Sequence, residues 1–181
     1  MSGKKRLKVC FMGGRQAGIV GALAILAKGN DIIAAVSYSE DLTYLLKLLG
    51  ITVYKSVRDA DFVKKLKSAD LLFSIHGKEW IPPKLLKLPR MGSVNLHPYL
   101  YKYKGANPVD RAIKDGERKA SVGAHIMEEK IDEGKVLLEE FVDITGANSV
   151  CEVYNKLYPY YCRVTLKTLD IMNDKWKKNK K

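Results

Sequence analysis

The stretch "LKVCFMGGRQAGIVGALAILAKGNDIIAAVSYS", residues 7–39, decides the fold. It opens with a short β-rich run, LKVCFMG, that ends at the pair Gly13-Gly14. QAGIVGALAILAKG follows, apolar on most faces and stopping at Gly29, and reads as a buried helix. DIIAAVSYS is the next strand. A strand, a helix and a strand in immediate succession form one crossover unit, and repeated units of this kind build parallel sheets with helical connections.

Outward from that unit the alternation continues. DLTYLLKLLG reads as a helix ended by Gly50, ITVYKS as a strand and RDADFVKKLKS as an amphipathic helix. ADLLFSIHG is a near-continuous apolar run, which predicts a strand buried on both faces. After IPPKLLKL, a short helix begun by proline, GSVNLH is a fifth strand. The second half changes character. NPVDRAIKDGE reads as a helix, whereas SVGAHIMEEK and KVLLEEFVDI read as an antiparallel pair joined by the loop IDEG. A Ser-x-x-Glu box, Ser149 to Glu152, opens a last helix with apolar positions at Val153, Leu157, Tyr161, Val164 and Met172, and Pro159 should bend it. The expectation is a single α/β domain over residues 1–181. It has a Rossmann-like, mostly parallel sheet with helices on both faces, an antiparallel strand pair late in the chain and a long kinked C-terminal helix.

Composition fits that reading. Hydrophobic residues make up 46% and charged residues 29%, close to globular averages, which excludes disordered, collagen-like and coiled-coil classes. The longest apolar stretch, AGIVGALAILA, is far shorter than the roughly 20 residues of a membrane span, and MSGKKRLK leads into a strand, so a cytoplasmic protein without a membrane anchor is expected. Cys10, Cys151 and Cys162 show no CxxC spacing; they are read as reduced, buried small side chains, with no disulfide frame and no metal site. The net charge of +12 invites a nucleic-acid reading, but its distribution weakens it. Residues 1–8 and 175–181 hold nine basic and no acidic residues, so the body keeps only +3. Such tails add weak, nonspecific attraction to polyanions, and specific nucleic-acid binding is not expected.

In open α/β sheets ligands collect at the carboxyl ends of strands. Gly13-Gly14, His76-Gly77, and Asn95 with His97 lie at such ends. Asn95 offers a carboxamide donor and His97 an acid/base group near neutrality, a pair suited to a reaction that builds negative charge on oxygen while moving a proton. The missing carboxylate is Asp132, in the loop KIDEGK, with Gly134 allowing a tight backbone path close to a ligand. Asn95, His97 and Asp132 are therefore expected to meet. GGRQAG reads either as a phosphate-binding turn at a helix start or as a plain tight turn. Tyr99, Tyr101 and Tyr103 either line an acceptor cleft or pack. His125 reads as a strand residue facing a neighbour, without catalytic partners.

The segment SVNLHPYLYKYKGANPVDRAIKDGERKASVGAHIMEEKIDEGKVLLEE resembles the signature of the formyl-tetrahydrofolate-dependent formyltransferases. Those enzymes share an Asn-x-His strand end, an aromatic-basic-Gly turn and a loop in which an Asp is soon followed by Gly. The resemblance implies a catalytic set of Asn95, His97 and Asp132, with formyl-tetrahydrofolate as co-substrate. It assigns His76, Gly77, Trp80, Ile81, Glu128 and Ile131 to the folate, and Gly13, Gly14, Arg15, Tyr99, Tyr103 and Lys104 to the acceptor. HPYLYKYKG is one residue shorter than the family's usual turn and lacks its Ser and second Pro, so a different loop shape is expected there.

The family's acceptors include glycinamide ribonucleotide, initiator methionyl-tRNA and nucleotide-linked amino sugars. GGRQAG lacks the Ser-Asn of the first group, and AVSYSEDL passes into helix without the basic insertion of the second. SYSEDLTYLLKLLGITVYK and DLLFSIHGKEWIPPKLLKL resemble the sugar enzymes, so the resemblance implies a small-molecule amine on a nucleotide-linked sugar; a homodimer is one open option for the oligomeric state, which the sequence does not decide. Formylation of methionyl-tRNA or glycinamide ribonucleotide is the alternative within the family. A non-catalytic folate- or polyanion-binding domain is the alternative outside it.

Overall fold

The computed structural model describes residues 6–178. Seven strands form one sheet in the order β3-β2-β1-β4-β5-β6-β7. Two compact units make up the chain, Met1–Val94 and Asn95–Lys181, and each is taken by itself.

The first unit begins with β1 (Lys8–Gly13), α1 (Arg15–Ala27) and β2 (Asp31–Ser37), the crossover expected from residues 7–39. Strand β1 pairs parallel with β2 on one side and with β4 (Leu71–Ile75) on the other, so Phe11 stands between Ala35 and Phe73. Helix α2 (Glu40–Leu48) buries Leu42 and Leu46, and α3 (Ala60–Ser68) buries Phe62 and Leu66, one i, i+4 pair each. The Asp59 carboxylate caps α3 by accepting from the Asp61 and Phe62 amides. Helices α1 and α2 touch each other, whereas α3 meets β1 and β2 without such contact with either helix. That agrees with a connection that reverses direction beyond β3 (Val53–Tyr54) and returns on the opposite face. Only two residues of ITVYKS form this strand, because it pairs with β2 alone. All five positions of β4 are buried, as its unbroken apolar run requires. The short helix α4 (Pro83–Leu86) follows.

Strand β5 (Ser93–Pro98) leads into the second unit. There α5 (Pro108–Lys114) starts with proline at its first position, and β6 (Lys119–Ile126) and β7 (Val136–Asp143) pair antiparallel. Their register shifts between Ala124 and His125, a bulge of the kind that re-aims the next side chain. Helix α6 (Val150–Lys178) lies on β6 and β7, burying Val153, Leu157, Tyr161, Val164 and Met172. Arg163 and Lys167 bind the Glu140 carboxylate and tie the helix to β7. The box at its start is shifted: Ser149 Oγ accepts from the Glu152 amide, but the Glu152 carboxylate reaches back to the amide of Asn148. Pro159 lies inside the helix and has no N–H to give.

One expectation needs correction. Cys10 is buried, but Cys151 is exposed and Cys162 half-buried, because the helical period turns them away from the sheet. Gly134 has a requirement the sequence did not show, within its own chain: a Cβ there would stand 1.8 Å from the Ile126 carbonyl oxygen. Among the described residues no helix is long and apolar enough to cross a membrane.

Candidate active site

Alternation along β5 puts Asn95 and His97 on one face while Val94 and Leu96 enter the core. Tyr99, at a φ of 55°, turns the chain out of the strand, and the loop comes back to present Gly105 to the same face. His97 Nε2 lies 3.0 Å from the Gly105 carbonyl oxygen and 3.2 Å from Asp132 Oδ2. The Gly105 amide donates to the same Asp132 oxygen at 2.8 Å. One residue, Gly105, thus holds both members of the pair through its N–H and its carbonyl. Its φ of 79° is a left-handed conformation that glycine adopts without strain.

Asp132 sits in the β6–β7 loop at a φ of 55°, an uncommon conformation for a residue with a Cβ. Its other oxygen, Oδ1, lies 3.3 Å from His125 Nε2. That nitrogen is also 3.3 Å from Asn95 Nδ2, while His125 Nδ1–H donates to the Ile126 carbonyl at 2.9 Å. Without a proton, His125 Nε2 accepts from Asn95; with one, it donates to Asp132. The four side chains form a continuous arrangement around a single carboxylate.

Burial by itself raises the Asp132 pKa. The hydrogen bond from His125, the neighbouring charge of His97 and the Gly105 amide together outweigh it, and the carboxyl is held down at about 2. Asp132 is therefore an anion at any pH near neutrality. His97 Nδ1 is buried and has no hydrogen-bond partner among the described residues.

Asn95, His97 and Asp132 meet as expected. His125 was missed, and the expectation that it lacks partners is overturned. It is 2% exposed and touches both Asn95 and Asp132. The available signal was a histidine inside the apolar run SVGAHIM, in the strand that feeds the Asp132 loop. Strand position alone did not show that its ring reaches Asp132 in that loop.

The remaining predicted residues lie as follows. Glu128 and Ile131 are exposed on the Asp132 loop, and Lys104 pairs with Glu133 of that loop at 2.9 Å. Tyr99 is fully buried, and Tyr103 crosses it edge-on with ring centroids 5.5 Å apart. The Tyr103 hydroxyl donates to Asp115 at 2.6 Å, so these two rings serve packing, and Tyr101 is the exposed member of the three. In the first unit, Gly13 and Gly14 end β1, with the Gly14 amide bound to the Ile75 carbonyl. Arg15 is exposed at a φ of 56°, its amide donating to Ser39 Oγ. His76, at a φ of 57°, and the exposed Gly77 follow β4. Trp80 is 50% exposed, whereas Ile81 is buried.

A family profile described as formyl transferase matches residues 27–162. The methionyl-tRNA formyltransferase of Pelotomaculum thermopropionicum is 28% identical over 92% of this chain and 58% of its own length. The GDP-perosamine N-formyltransferase of Brucella melitensis is 35% identical over 70% of this chain and 52% of its own. The chain therefore spans between half and three-fifths of these two relatives. Among solved structures, phosphoribosylglycinamide formyltransferase from Anaplasma phagocytophilum superposes with a TM-score of 0.79 at 18% identity, covering 94% of this chain and 89% of that one. A formyltetrahydrofolate deformylase from Pseudomonas putida gives 0.72 at 18% identity, covering 98% and 68%. These structural likenesses show a common fold. The profile match spans most of the chain, from α1 into α6 and across the whole Asn95–Asp132 arrangement, and on it the chain belongs to the formyl transferase family.

Proposed function

We propose that this chain transfers a formyl group from formyl-tetrahydrofolate to a primary amine. The observation that carries the reading is the convergence of His97 and His125 on the Asp132 carboxylate, with Asn95 joined to it through His125. The donor set fits the chemistry, and the unpartnered His97 Nδ1 is consistent with a site built to receive a further polar group. Formyl-tetrahydrofolate supplies the formyl carbon and a leaving nitrogen. As an amine attacks that carbon, its carbonyl oxygen gains negative charge, and the Asn95 carboxamide N–H is the donor available to stabilise it. The amine gives up one proton and the leaving nitrogen takes one, so a single group that accepts and returns a proton suffices. His97 is that group. Asp132 stays ionised and orients the His97 ring, while His125 holds Asp132 and Asn95 in register.

The folate is assigned to His76, Gly77, Trp80, Ile81, Glu128 and Ile131, and the acceptor to Gly13, Gly14, Arg15 and Lys104, whereas the buried rings of Tyr99 and Tyr103 pack. We assign the acceptor to the amines of nucleotide-linked sugars, supported by 35% identity to a GDP-perosamine N-formyltransferase. The longer match to a methionyl-tRNA formyltransferase favours tRNA as the second reading.

The test is incubation with formyl-tetrahydrofolate and three acceptors: a nucleotide-linked 4-amino sugar, methionyl-tRNA and glycinamide ribonucleotide. Tetrahydrofolate release and product mass are followed. Formylation of the sugar, reduced about 10²- to 10³-fold in Asn95→Ala without loss of fold, is the expected result. Formylation of the tRNA alone selects the second reading. Folate binding without transfer to any acceptor leaves a binding domain and overturns the catalytic one.

A further inference from the structure

The loops at the carboxyl ends of the first unit's strands are tied together, and one carboxylate joins three of them. Glu79, in the loop after β4, accepts from the Tyr38 hydroxyl at 3.1 Å, from Ser56 Oγ at 2.7 Å and from the Val57 amide at 3.3 Å. Tyr38 follows β2, and Ser56 and Val57 follow β3. Arg58 adds an ion pair with Glu79 at 3.7 Å and donates to the Trp80 carbonyl at 3.1 Å. The collar extends to β1: the Tyr38 amide donates to the Gly13 carbonyl at 2.8 Å, and the Arg15 amide to Ser39 Oγ at 2.9 Å. Glu79 is 19% exposed in its side chain, so these bonds form largely out of water. Burial, with the Glu79 carboxylate beside it, pushes the Tyr38 hydroxyl up and keeps it a donor.

The next residue in the chain is Trp80, a large ring half open to solvent. It stands in a loop that follows β4, and the strand order reverses between β1 and β4, the place where open α/β sheets take their ligands. An aromatic ring held there by a fixed backbone is a ready face for a flat ligand. We propose that Glu79 is a positioning residue for cofactor binding, fixing the backbone that carries Trp80 rather than touching the reacting atoms. The proposal rests on the formyl-transfer reading for the identity of the flat ligand.

The experiment uses the full chain in a Trp176→Phe background, which leaves Trp80 as its only tryptophan. Glu79→Ala is expected to raise KM for formyl-tetrahydrofolate about tenfold or more, with kcat held within about twofold. Trp80 emission shifts to longer wavelength and becomes more accessible to acrylamide. Glu79→Gln keeps an acceptor oxygen for Ser56 and the Val57 amide, so its KM falls between Ala and wild type. Should Glu79→Ala fail to fold, Tyr38→Phe with Ser56→Ala removes two of its donors and is expected to move KM and emission in the same directions. Unchanged KM and emission in a folded variant, with only a lower melting temperature, reduces Glu79 to a structural role and overturns the proposal. If the wild-type protein transfers no formyl group, the functional reading fails separately. The emission arm then still decides whether Glu79 sets the Trp80 loop.

Discussion

Asp132 shows how much a single side chain depends on its surroundings. Its loop was legible as the source of a carboxylate, but its ionisation is set by His125, His97 and the Gly105 amide, which together outweigh a burial that alone would raise its pKa. The folded pKa, about 2, lies below the ordinary aspartate value of 3.8. The carboxylate therefore contributes stability that is fully present above the ordinary value and is lost as pH falls from there toward about 2. Chemical denaturation of wild type and Asp132→Asn should show their stability difference shrinking by about 2 kcal/mol between pH 5 and pH 2. His125→Ala removes a bond that lowers this pKa, so its acid-linked loss of stability, which starts from the same ordinary value, should be smaller and end at a higher pH than in wild type. A His125→Ala profile that overlays wild type would mean that the 3.3 Å contact carries no interaction.

At the scale of elements, the β6–β7 hairpin does more than close the sheet. Its strand β6 carries His125, and its loop brings Asp132 to His97 at the end of β5. That loop passes so close to β6 that any side chain at Gly134 would overlap the Ile126 carbonyl. Gly134→Ala should therefore destabilise the protein by at least about 2 kcal/mol, seen as a lower denaturant midpoint, and formyl transfer should fall with it. Full stability in that variant would show that the loop has another path. The strands and helices themselves followed from periodicity: β4 from its continuous apolar run, α2 and α3 from i, i+4 pairs, α6 from Val153, Leu157 and Tyr161. The hairpin bulge and the left-handed turns at Tyr99 and Asp132 did not follow, because no local sequence preference favours them.

Over the whole molecule, charge and chemistry are separate. Most of the excess positive charge belongs to the two tails, whereas the candidate site is built from one anion, two imidazoles and an amide. Removing residues 175–181 deletes five lysines and should leave formyl transfer to a nucleotide-linked amine unchanged while weakening salt-dependent retention on a polyanion column. A large loss of transfer would tie the tail to acceptor binding and favour a tRNA. What the sequence by itself determined was the order of strands and helices, the buried character of β4 and the trio Asn95, His97 and Asp132, because alternation, helical period and strand-end position are local patterns. What only the tertiary structure decided was that His125 joins them, that Gly105 clips His97 to Asp132, and that Glu79 gathers three loops. Each of these contacts joins residues from different strands and loops, and no local period records which of them will meet.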